Sequence, residues 1–130
     1  MSLTQDQMAE VMDRMFAECR ELRAKAQREY AHDPSNAFRN FEQLSIELGI
    51  TREKVLWIFL KKHLDGILAY INGYESQRES VEGRINDATT YLTLLRGMVE
   101  DKKLRLKLAE PGAPHISSLT QQSVIRIDNP

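Results

Sequence analysis

A chain of 130 residues, 42% hydrophobic and 28% charged, has material for one core and is too short for two comfortable domains. Its formal charge of −1 supplies no excess positive field to hold a polyanion, which excludes general nucleic-acid binding. Cys19 has no second cysteine to pair with, no basic start with an apolar run precedes the first helix, and Lys61, Lys62 and His63 interrupt the longest apolar stretch. A cytoplasmic protein without the roughly 18 apolar residues of a membrane span is therefore expected.

Thr4 opens the first predicted helix as its N-cap, and Met8, Val11, Met12, Met15, Phe16, Cys19, Leu22, Ala26 and Tyr30 recur at helical spacing over about seven turns. Cys19 sits mid-stripe, the place of a packed thiol rather than a nucleophile. His32, Asp33, Pro34 and Ser35 break the pattern, since proline disfavours helical geometry in the residue before it. A shorter helix follows, with Phe38, Phe41, Leu44 and Leu48 on its apolar face and Gly49 placed to end it in the left-handed conformation. At its start the amides of Ser35, Asn36 and Ala37 are expected to point out unpaired, with Arg39 one turn on, a setting that stabilises anions.

Thr51 starts the third predicted helix, which runs to about Ile71 before Asn72 and Gly73 stop it. Its apolar arc, from Val55, Leu56, Trp57 and Phe59 through Ile71, spans roughly 220° of a helical wheel, wider than one neighbour covers. The helix is expected to be central and to pack on two or more neighbours, within the chain or across the interface of a homo-oligomer. A polar loop over 74–79 leads to the fourth helix, which begins near Ser80, with 76–79 as a weaker capping box, and ends before Pro111. Along it Val81, Ile85, Ala88, Leu92, Leu95 and Val99 form one apolar stripe, and Arg84, Asp87 and Tyr91 line a single flank. The expected fold is all-α, a four-helix bundle-like single domain over 1–109 with a flexible or swapped tail over 110–130. Residues 124–127 have the composition to pair as a short strand with another chain.

The chain has no CxxC pair, HExxH, glycine-rich phosphate loop or glycine-flanked serine, so the reactions built on those motifs lack their parts. Acids and bases remain. Glu42, Glu47, Glu79, Glu82 and Asp87 are the carboxylates that a helical bundle can turn onto a hard cation. Glu82 and Asp87 leave their helix on different faces, so one ion does not easily take both. His63 lies within the apolar arc of the third helix, as a satisfied core histidine or as a base. Arg84 and Asp87, at i and i+3, either stabilise their helix as a pair or form, with Tyr91, one wall of a polar cleft between the second, third and fourth helices.

The stretches CRELRAKAQREYAHDPSNAFRNF, KKHLDGILAY and GRINDATTYLTLL resemble the phage and prophage family called the nucleotide modification associated domain. That family is distantly similar to the all-α nucleoside triphosphate pyrophosphohydrolases of MazG type. The resemblance covers about residues 16–100, and its shared marks are Asp33, Lys62, and Asp87 four residues before Tyr91. Pro34 and Ser35 stand where the family tends to carry tyrosine and glycine, and Asp65 where it carries arginine.

The resemblance implies a phage-encoded helical domain near nucleotide metabolism. A nucleotide is then expected to meet Asp33, Asn36 and Arg39 at the proline corner and Lys62, Arg84 and Tyr91 along the cleft. His63 and Asp87 would serve its hydrolysis by orienting groups or accepting a proton, and Glu82 or Asp87 would hold any Mg²⁺ that takes part. The rival expectation, from another class, is a non-enzymatic helical oligomerisation protein of a phage or prophage.

Overall fold

Four helices carry the chain in a computed structural model that describes residues 1–30, 33–75 and 78–112. They are α1 (Gln5–Tyr30), α2 (Arg39–Leu48), α3 (Arg52–Ile71) and α4 (Val81–Leu108), and the described residues are all-α, as the periodicity predicts. The chain forms two compact units, Met1–Thr93 and Leu94–Pro130. Most of the expected tail over 110–130, with its strand over 124–127, lies outside the described residues.

Local chemistry sets the helix ends. Thr4 and Gln7 form a reciprocal capping box, the Thr4 hydroxyl accepting from the Gln7 amide at 3.1 Å and the Gln7 side chain accepting from the Thr4 amide at 2.9 Å. Gly49, at φ 69°, ends α2 in the left-handed region, where a side chain would be strained. Thr51 caps α3 by accepting from the Lys54 amide at 3.2 Å, and Ser80 precedes α4 and accepts from the Gly83 amide at 3.0 Å. Of the weaker capping box over 76–79, residues 76 and 77 lie outside the described residues.

The Thr51 cap carries a prediction. Thr51→Ala should cost about 1 kcal/mol of stability by leaving an α3 amide without its acceptor. A lower urea midpoint at unchanged m-value would register it.

Within the first unit α2 packs on α3 as a helical hairpin. Arg52 crosses that hairpin, donating to Glu42 at 3.0 Å and lying 5.0 Å over the ring of Phe38, so its largely buried guanidinium is both paired and stacked. α1 reaches α4 through Cys19, whose thiol donates to the Asn86 carbonyl at 3.5 Å, and through Asn86, whose amide donates to Glu18 at 2.6 Å. Cys19 is buried, as its place in the stripe predicts.

On α3 the buried side consists of Val55, Leu56, Leu60 and His63, and Ala88 of α4 is likewise buried. Elsewhere on the arc, among the described residues, Trp57 is 51%, Leu68 54% and Ile71 69% exposed. Within one chain α3 thus meets two neighbours, α2 and α4, as its wide arc predicts, and still leaves these apolar side chains exposed.

In the second unit the described part of α4 carries the i, i+4 pairs Arg96 with Glu100 and Asp101 with Arg105. Arg105 and Lys107 stand in its last turn, where cations suit the helix dipole. Among the described residues no helix is long and apolar enough to cross a membrane.

Candidate functional site

His63 faces α4 from the buried side of α3, with only 8% of its surface exposed. Its Nδ1 stands 3.6 Å from Oδ2 of Asp87, beyond hydrogen-bond reach, so a buried ring nitrogen is left without a partner. Leaving such an atom unsatisfied costs about 1–3 kcal/mol, which a core histidine with a purely structural role would ordinarily avoid.

Glu79, in the turn before α4, brings a second carboxyl to the same place. One ligating atom each from His63, Glu79 and Asp87 lies within 4.8 Å of the others. Burial is the main reason that Asp87 holds its proton above the usual carboxylate range. The charge of Glu79 and a hydrogen bond with it push the same way, against the opposing pull of His63 and Lys62. Two acids and an imidazole thus share one partly dry spot.

Arg84 supplies the positive side. Its largely buried side chain runs across α3 at Gly66, where a Cβ would overlap its Cδ, Cζ and Nη1. The guanidinium ends 3.8 Å from Glu79, so the ion pair recorded for Arg84 is with Glu79 and not the i, i+3 pair with Asp87 that the helix spacing offers.

Beside these groups is an aromatic cluster that ties α2, α3 and α4 together. Tyr91 stacks on Phe59 at 6.2 Å and on His63 at 5.6 Å, while Phe41 meets Phe59 and Tyr91 edge-on at 6.3 Å each. Burial, and secondarily the charge of Asp87, raise the Tyr91 hydroxyl above its ordinary value. The phenol therefore stays a neutral donor at physiological pH.

The proline corner is organised differently from the expectation. Asp33 accepts from the Ser35 amide and hydroxyl, the Asn36 amide bonds the Asp33 carbonyl, and the Asn36 side chain bonds both the Phe38 amide and Glu42. The helix begins only at Arg39, so the amides of Ser35 and Asn36 are already satisfied and do not form an open anion seat. Side-chain bonding of this kind competes with helix formation, which delays α2 past the residues that follow Pro34. The Ser35 bonds, then Arg39 at 3.5 Å, hold Asp33 below the usual carboxylate range.

Of the residues expected to meet a ligand, the structure gathers His63, Asp87, Tyr91 and Arg84, and Lys62 acts on Asp87 through its charge. Asp33, Asn36 and Arg39 make their bonds within the corner and to α2. Glu82 is exposed and is not a member of the His63 group, whose second carboxyl is that of Glu79. Gly66 was not singled out by periodicity. Its one signal was an isolated glycine inside an unbroken helical pattern, which often marks a close packing partner. Comparison of the chain with protein-family models, with curated proteins and with solved structures finds no match.

Proposed function

We propose that this helical protein, of phage or prophage origin as its resemblance implies, binds a nucleotide at the face shared by α3 and α4 and hydrolyses it. One observation carries the reading: a buried His63 nitrogen without a hydrogen-bond partner stands against two adjacent carboxyls, Glu79 and Asp87, with Arg84 beside them. Groups so poorly matched to fold stability are concentrated where proteins do chemistry. Arg84 and Lys62 supply charge for phosphate oxygens, the Tyr91 hydroxyl donates a hydrogen bond, and His63 with Asp87 accepts a proton from an attacking water.

Calorimetric titration with nucleoside mono- and triphosphates in the presence of a divalent cation, alongside phosphate release, tests this. Native protein should bind at least one nucleotide class, and Arg84→Ala should weaken that binding about tenfold, the scale of one charge-assisted hydrogen bond. Silence across the whole panel in both assays would end the nucleotide reading.

A second reading, a homo-oligomeric interaction protein, is favoured by the open edge of α3. Trp57, Leu68 and Ile71, each more than half exposed, sit at helical spacing like the apolar anchors of an interface. Light scattering should then find more than one chain per particle, and Trp57→Asp should release single chains. A native protein that is monomeric at high concentration removes this reading.

A further inference from the structure

We infer that His63, Glu79 and Asp87 form a binding site for a divalent transition-metal ion. The inference goes beyond the nucleotide reading and does not depend on it.

Three observations converge. The first is reach: the ligating atoms lie within 4.8 Å of one another, and two ligands each about 2.1 Å from an ion stand no more than about 4.2 Å apart. Side-chain rotations that bring these atoms closer by about 1 Å would therefore seat all three on one centre. The second is the buried Nδ1 of His63, which is turned toward Asp87 yet has no hydrogen-bond partner. A metal ion satisfies such a nitrogen without needing a proton from anyone. The third is the closeness of Glu79 and Asp87, which each offer a carboxylate oxygen to the same cluster beside the buried imidazole. A doubly charged cation turns their repulsion into attraction and holds both ionised.

Ligand chemistry names the class of ion. One imidazole with two carboxylates suits the borderline first-row cations, whereas Mg²⁺ prefers oxygen ligands and keeps much of its water. The mixed set therefore takes Mn²⁺, Fe²⁺, Co²⁺ or Zn²⁺ ahead of Mg²⁺, and it takes Glu79 in place of Glu82. The three residues come from α3, the turn before α4 and α4 itself, so a bound ion would also clamp the two helices.

Titration of the full chain with Co²⁺ alone, in the absence of nucleotide, tests the site through the visible absorption of the bound ion and by calorimetry. The expected result is one Co²⁺ per chain. Binding should be more than tenfold weaker in both Glu79→Gln and Asp87→Asn, native-like in Glu82→Gln, and resistant to a large excess of Mg²⁺.

Glu79 is partly exposed and lies outside the helices, so its substitution leaves the fold intact, and a native far-UV circular dichroism spectrum verifies this. Absence of stoichiometric Co²⁺, or unaltered binding in Glu79→Gln and Asp87→Asn, would overturn the site. Loss of binding in Glu82→Gln would overturn the choice of Glu79, and ready displacement by Mg²⁺ the choice of metal class. Because no nucleotide is present, a failure here is distinct from a failure of nucleotide binding.

Discussion

Asp87→Asn is expected to make the metal-free protein more stable at neutral pH while weakening its metal binding more than tenfold. The folded chain holds the Asp87 carboxyl above its usual 3.8, first because burial penalises the charge and then because Glu79 stands against it. A carboxyl that is harder to ionise in the fold than in the unfolded chain contributes stability that is full below the unfolded value. That contribution is lost as pH rises through the folded value. The native residue suffers this loss as it ionises, and asparagine, which never ionises, does not.

The advantage of the variant should therefore be present at pH 7 and vanish below about pH 4, where the native aspartate is also protonated. Thermal melts of both proteins in chelator across that range would trace it. Co²⁺ binding should move the other way, by more than about tenfold, since even outer-shell substitutions at a metal site cost 10–100-fold. A gain in stability coupled to a loss of binding is the mark of a residue kept for function. If Asp87→Asn instead melted earlier at neutral pH, Asp87 would be a structural partner of His63, and the oligomerisation reading would gain.

Local rules made most of the fold legible. The ends at Thr4, Gly49, Thr51 and Ser80 depend on side chains or conformations within a few residues of the helix, and the structure places a cap at each. The proline corner was misjudged because two local rules compete there. Pro34 suits the start of a helix, but Asp33, Ser35 and Asn36 bond the nearby backbone more effectively.

Within the site, Arg84, Asp87 and Tyr91 were visible as one flank of α4, and His63 as a polar interruption of an apolar arc. Glu79 was harder. It precedes the helix start at Val81, so a helical wheel assigns it no direction. Gly66 was invisible as a site residue because its meaning lies in a side chain eighteen positions away.

That glycine sets up the other large effect. In an ordinary helix interior Gly→Ala stabilises by about 1 kcal/mol, and Gly66 lies inside α3 without a positive φ to defend. Here, however, the new methyl would overlap Cδ as well as Cζ and Nη1 of Arg84, so moving only the tip of the guanidinium does not relieve the clash. Arg84 must leave its groove, and its contact with Glu79 goes with it.

Gly66→Ala should accordingly forfeit the usual gain and weaken nucleotide binding about as much as Arg84→Ala, roughly tenfold. With Arg84 already truncated to alanine the same change should recover about 1 kcal/mol of stability and leave binding untouched. The two substitutions are then coupled by about 1 kcal/mol or more in stability, within the range of residues in direct contact. Urea melts and calorimetry on the four proteins of the cycle measure both couplings. Additivity in both would mean that Arg84 swings aside freely, and a guanidinium so loosely held could not be the group that positions a phosphate against His63 and Asp87.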